Sequence, residues 1–372
     1  LGLYNPKKSP QTPGDDGLPK CAEVWFDELR MAGIYDRAGY AAAGKVSVQL
    51  ADLGNVNLSG SMHTPGYGNI DQKINQRLQD NYYQYNTSTN LNLGKVMPKN
   101  WGVQLPFFAG YTQNVSTPKY DPYNEDVLLG DQLSGAKNAQ ARDSIRKVAQ
   151  DFTSIKSFNF TNVRIQGNPA APATKVRKPW SVKNFDFSYS YNDQVKRNPT
   201  IEKDQMKTQK YGLGYTYAIK TKPIEPFRRM IKSRSKWLSL VKDVNLTPLP
   251  STFTMRNDLN RITEETKVRD FNDGSGYRIP PTFYKNFTWN RAYTLRWELM
   301  RSLSLDYAAT NISRIDEPYG RVNTKEKKDS LWRQIGTFGK NTYYNQTFNS
   351  TYNVPLAKLP VTDWMNCRLG YS

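Results

Sequence analysis

Along residues 45–62, KVSVQLADLGNVNLSGSM, the even positions are Val46, Val48, Leu50, Asp52, Gly54, Val56, Leu58, Gly60 and Met62, and the odd positions are mostly Ser, Asn and Gln. Strict alternation of this kind marks a β-strand with one apolar and one wet face. The phase passes Asp52 and Gly54 without slipping, so the pattern predicts one strand over the whole stretch. That is far longer than the usual strand of about 5–6 residues. A tight turn at 52–55 is the competing reading.

The alternation recurs. Further strands are predicted at 83–93, 101–111, 152–166, 181–191, 209–219, 244–262, 284–297, 302–312, 342–354 and 364–372, eleven in all. One face of each is apolar or aromatic, as in Tyr211, Leu213, Tyr215 and Tyr217, and the other carries Asn, Ser, Thr, Gln and Lys. The connections 63–82, 115–151, 192–208, 263–283 and 313–341 read as long loops. The alternate ones read as short, apart from 220–243, which reads as a helix. Hairpins with long loops on one side and short turns on the other are the layout of an outer-membrane β-barrel. A turn at 52–55 would put two short connections in succession, so this rhythm favours the single long strand.

These patterns predict an all-β fold: an antiparallel transmembrane β-barrel segment with one or two short amphipathic helices in its connections. Residues 1–21 read as an extended linker and 22–372 as part of one barrel domain. An odd strand count, and a last strand still running at Ser372, lead to the expectation of one arc of a larger barrel. The lipid-facing residues are expected to include Trp101, Val103, Leu105, Phe107, Tyr111, Phe185, Phe187, Leu213, Tyr215, Trp289 and Tyr293. Residues 225–243 align Phe227, Met230, Ile231, Leu238 and Val241 at helical spacing. Arg228, Arg229, Lys232 and Lys236 fall off that stripe, beside Trp237. This helix is expected either at the membrane surface, basic face toward lipid phosphates, or as a cap packed on neighbouring strands. A second helix is predicted over 139–152.

Composition agrees with faces that meet different solvents. Only 37% of residues are hydrophobic, yet 13% are aromatic, with 24 Tyr; mean hydropathy is −0.74. No run of 18 apolar residues occurs, so no transmembrane helix is predicted. The formal charge of +19 suits anionic lipid, lipopolysaccharide or nucleic acid. No zinc-finger spacing, RNP motif or helix-turn-helix pattern accompanies it, so nucleic acid is not expected as a partner. His63 is the sole histidine, and Cys21 and Cys367 are the only cysteines. A Ser-His-Asp triad alongside a His-based metal site is therefore ruled out. Residues 270–277, DFNDGSGY, lack the carboxylate spacing of a calcium loop and read as a turn. No catalytic residue, metal or cofactor is expected.

Several long segments carry a resemblance. VWFDELRMAGIYDRAGYAAAGKVSVQLADLGNVNLSGSMHTPGYG, GVQLPFFAGYTQNVSTPKYDPYNEDVLL, NDLNRI, SGYRIPPTFYKNFTWNR, LRWELMRSLSLDY and RIDEPYGR resemble the SprA/Sov family of Bacteroidetes. The resemblance runs in order from about residue 22 to the end. It implies the outer-membrane translocon of the type IX secretion system, linked also to gliding motility. Such a protein passes folded cargo from periplasm to cell surface through a wide lumen. The implied partners are secreted cargo proteins, outer-membrane lipid and lipopolysaccharide, a smaller PorV-like barrel and a periplasmic plug protein. The alternatives are another outer-membrane transporter, of the TonB-dependent type, or a secreted, basic, Tyr-rich β-protein that binds surface glycan.

Overall fold

The structure is a computed structural model that describes residues 37–166, 178–218, 223–228, 239–242, 244–270, 278–356, 361–362 and 364–372. It is dominated by one antiparallel sheet in a single layer, in which consecutive strands are neighbours throughout. The strands are β1 (Ala41–Leu50), β2 (Gly54–His63), β3 (Asp80–Asn92), β4 (Pro106–Pro118), β5 (Asp151–Ile165), β6 (Phe185–Arg197), β7 (Ile201–Ala218), β8 (Thr252–Val268), β9 (Thr282–Met300), β10 (Leu303–Arg314), β11 (Lys340–Val354) and β12 (Cys367–Tyr371). A two-residue piece, Val103–Gln104, adds to β5 below β4. Among the described residues the sheet is open: β1 and β12 each have one neighbour. Four α-helices among the described residues lie in connections: α1 (Leu129–Ser134), α2 (Ala139–Ala149), α3 (Ser239–Lys242) and α4 (Lys325–Gly336). No helix among the described residues is long and apolar enough to cross a membrane.

Residues 45–62 are not one strand but the β1–β2 hairpin. The turn occupies residues 51–53, where the Leu53 N–H donates to the Leu50 carbonyl at 2.8 Å. Ala51 takes φ 42° and Gly54 φ 151°, and a Cβ on Gly54 would run into the Asn90 carbonyl oxygen. Leu50 pairs with Gly54, Val48 with Val56 and Val46 with Leu58. A turn of this length returns the chain with even residues opposite even residues. Paired residues share a face in an antiparallel ladder, so the alternation crosses the turn in phase and hides it.

The second correction concerns 192–208, expected to be a long loop. The strands run on through it to a tight turn at 198–200. There the Asn198 side chain accepts from the backbone N–H groups of Thr200 (3.0 Å) and Ile201 (2.6 Å), as an Asx turn does. Loop lengths therefore do not sort by side. One end of the sheet, here the near end, holds the connections 51–53, 93–105, 166–184, 219–251, 301–302 and 355–366. The far end holds 64–79, 119–150, 198–200, 269–281 and 315–339. Tight turns and long connections occur at both.

Helix α2 stands where a helix was predicted; Asn138 caps it by accepting from the Ala141 N–H at 2.7 Å. Phe152, expected on that helix, belongs to β5. Of the helix predicted over 225–243, the described part is a turn at 226–228 and α3. The fold has almost no core of the ordinary kind: Leu129, Ala149, Phe287, Ala309 and Ile315 are the buried apolar residues among those described. Accessible surface is 26976 Å² for 42.7 kDa, against about 15,000 Å² from the size scaling of compact proteins.

Candidate membrane-facing band and polar wall

Strand register decides which residues share a face. From Leu58 the pairing runs to Thr87 and Tyr111. From Phe107 it runs through Phe160, Tyr189, Tyr211 and Leu259 to Trp289. Followed across all twelve strands, one face collects Val46, Val48, Phe107, Phe158, Phe185, Phe187, Leu213, Tyr215, Met255, Tyr293, Leu305 and Phe348. Much of this surface lies open: Leu213 is 42% exposed, Phe187 43% and Val46 56%. Of the residues expected to face lipid, Val103, Phe107, Tyr111, Phe185, Phe187, Leu213, Tyr215, Trp289 and Tyr293 all fall on this face. Leu105 links Val103–Gln104 to β4, outside a strand. Trp101 stands in no strand; it ends a 3-10 turn at the near end and is exposed.

The apolar residues form a band, and the band runs oblique to the hydrogen-bonded rows. Its upper edge is Tyr111 on β4, whose row reaches β7 at Lys207 through Lys156 and Asp193. On β11 the edge is Phe348, whose row reaches β7 at Tyr217 through Tyr307, Leu295 and Phe253. The edge has thus moved about ten residues along the strands, roughly 33 Å, over seven spacings of about 4.8 Å. The strands are inclined to the normal of the band by about 45°. Along the near end the lower edge coincides with the strand ends, at Leu50, Ile165, Phe185, Tyr217, Leu303 and Val354.

The opposite face is a polar wall of Asn, Ser, Thr and Gln, including Asn57, Asn86, Asn159, Ser190, Asn260 and Asn290. Two ion clusters lie among these neutral groups: Arg256 reaches Asp186 at 2.8 Å and Asp258 at 2.9 Å, and nearer the near end Arg296 lies 3.6 Å from Glu298 and 3.9 Å from Asp306. Gly212 and Gly214 lie beneath the Arg256 cluster, and a Cβ on either would collide with its side chains. At the far end of the same face, His63 meets Asp80 at 3.0 Å, and the Ser116 hydroxyl donates to the other Asp80 oxygen at 2.5 Å. The carboxylate stands between Ser and His, so the imidazole does not adjoin the hydroxyl and the trio is a structural tie rather than a Ser–His relay.

Above the band β7, β8 and β9 continue with polar residues on both faces, and the 315–339 connection folds onto them. Ile315 is buried and donates its N–H to the Phe287 carbonyl at 2.9 Å. Glu317, 1% exposed, binds Arg261 at 2.5 Å and Lys285 at 3.7 Å. Tyr319 meets Phe283 edge-on, and Arg321 pairs with Glu265. Three stretches singled out in the sequence, NDLNRI, FYKNFTWNR and RIDEPYGR, thus converge on one contact. Arg321 and Lys203 hold the Glu265 carboxyl below its ordinary range; Lys340 and Arg314 do the same for Asp316. Sequence reasoning missed this clasp. Its signal was charge at Arg261, Glu265 and Lys285, on the face that alternation would have made apolar.

Of the predicted basic helix, Phe227 is exposed in the 226–228 turn and Arg228 pairs with Glu225 at 2.5 Å. Arg229, Lys232, Lys236 and Trp237 lie outside the described residues, as do Cys21 and most of the 270–277 turn. No group of His, Cys, Asp and Glu fit to hold a metal occurs among the described residues.

Residues 6–133 match the family of SprA N-terminal regions, described as motility related/secretion protein. No curated protein matches the chain.

Proposed function

We propose that this chain, which residues 6–133 place in the SprA family of motility-related secretion proteins, is an arc of a transmembrane barrel in the bacterial outer membrane. The barrel would be the protein-conducting translocon of the type IX secretion system. The observation that carries the reading is the oblique apolar band. Strands of outer-membrane barrels tilt by about 35–45° against an apolar belt, and the register here gives about 45°. On β9 the band covers Trp289 to Trp297, nine residues interrupted by Arg291, which reaches the roughly 9–11 residues of a tilted crossing; on β7 it covers the seven residues Tyr211 to Tyr217. The polar wall then faces water, and its neutral amides and hydroxyls would let folded cargo slide past without binding tightly. An open edge cannot face hydrocarbon, so β1 and β12 would pair with further strands. A PorV-like barrel and a periplasmic plug remain partners by family resemblance.

The test is to place bulk on the wall without touching the band. Ser190→Trp and Asn260→Trp should lower secretion of cargo into the medium while the protein still assembles in the outer membrane. Normal secretion by both variants, or a protein stable and monodisperse in buffer without detergent, would contradict the proposal.

A further inference from the structure

Charge is distributed unequally between the two ends of the sheet. Near-end connections hold Lys95, Lys99, Lys178, Lys183, Arg228, Lys242 and Arg301, against Asp52 and Glu225 among the described residues. Far-end connections mix the signs. Helix α2 sets Asp143 near Arg146 (4.0 Å), and α4 carries Glu326 and Asp329 among its lysines. Exposed tryptophans accompany the near-end lysines, Trp101 (60%), Trp180 (75%) and Trp364 (79%), against Trp332 (69%) on α4 at the far end. The Lys178 ammonium lies over the Trp180 ring, 5.7 Å from its centroid.

Height along the strands gives this asymmetry a meaning. The lower edge of the band coincides with the near strand ends, so near-end connections begin where the apolar surface stops. At the far end β8 continues from Leu259 to Val268 above the band, roughly 20 Å of height once tilted. Several basic groups at the upper edge are engaged, Arg261 and Lys285 by Glu317 and Lys203 by Glu265, while Lys156 and Lys207 stand on the edge row itself. Lysine and tryptophan together at the boundary of an apolar belt suit the headgroup layer, where indole straddles the interface and ammonium meets phosphate. A nucleic acid would need the charge without the adjoining apolar band.

We infer that the near-end rim, with Lys95, Lys99, Lys178 and Lys183 beside Trp101 and Trp180, binds the phosphates of anionic phospholipid headgroups in the adjoining leaflet. The far end has no such role. This rests on the membrane-spanning reading and adds a partner and a side to it.

The experiment reconstitutes the detergent-solubilised full-length protein into phosphatidylcholine vesicles, with and without phosphatidylglycerol, and measures association by flotation. The wild type should favour the anionic vesicles. The K95Q/K99Q/K178Q/K183Q variant should lose that preference by up to about fivefold per lysine, and the far-end variant K137Q/K147Q/K325Q/K328Q should keep it. Equal loss in both variants, no lipid preference in the wild type, or stronger rim-dependent binding to duplex DNA would overturn the inference. Insertion into both vesicle types without preference would refute the rim alone. Failure to insert into either would refute the membrane reading as well.

Discussion

Arg261 and Glu317, 56 positions apart in sequence, meet in a two-pronged ion pair: Nε lies 2.5 Å from Oε1 and Nη2 lies 2.7 Å from Oε2. Glu317 is almost wholly buried and Lys285 lies on its other side at 3.7 Å. Removing the carboxylate leaves two cations facing each other under a loop. Breaking a buried pair costs about 3–5 kcal/mol, and since Arg261 keeps some exposure the lower end applies. Glu317→Ala should therefore release the 315–339 connection, read as faster amide hydrogen exchange there and unchanged exchange in the band. Unaltered exchange in 315–339 would show that the pair does not hold the clasp.

The clasp should also weaken in acid. Asp316 and Glu265, both beyond the apolar band, have carboxyl groups shifted below their ordinary values of 3.8 and 4.5. A group lowered in the folded state contributes stability above its unfolded pKa and loses it as pH falls through the folded one. Digestion of 315–339 by pepsin should start only below the ordinary carboxylate range. In Asp316→Asn with Glu265→Gln it should lose that dependence. The same pH profile in that variant would assign the effect elsewhere.

Close approach makes a third prediction. Gly214→Val would drive its side chain into Asp186 beneath the Arg256 cluster. It should disrupt the β6–β7–β8 wall and reduce assembled protein in the membrane. Gly44→Val, at a position with no neighbour within 4 Å of the added atom, should assemble normally. Equal assembly of the two would contradict the placement.

These sites also mark how far the sequence could be read. Alternation located the apolar band on one face of the strands almost completely, because such a face places apolar residues at every second position. It failed wherever that pattern is absent. Above the band both faces of β6 and β7 are mostly polar, as in Asn192, Asp193 and Lys196 opposite Thr208, Lys207 and Asp204. The strands there were read as loop. The 51–53 turn was missed because an even residue pairs with an even residue across it, leaving the phase intact. The Arg261–Glu317 contact joins distant segments, and no local pattern encodes it.

Depth in the band sets the cost of charge. Leu213 lies mid-band on β7, and Leu213→Lys should destabilise the protein in lipid by about 2–4 kcal/mol. Thr208→Lys, on the polar wall and above the band, should cost little. Reconstituted unfolding in urea measures both. Equal costs would remove the distinction between the faces.

In the proposed membrane arc, one face of this sheet meets lipid and the other water. The chain has 2 cysteines, so replacing Cys21 and Cys367 by Ser gives a background for a nitroxide scan along β7. In bilayers, collision with oxygen and with a water-soluble nickel chelate is compared at each position from 203 to 218. Oxygen-dominated collision is expected at 211, 213, 215 and 217, chelate-dominated collision at the even positions between them, and chelate access at both parities from 203 to 209. Chelate access at 211, 213, 215 and 217 equal to that at their even neighbours would contradict this assignment of faces.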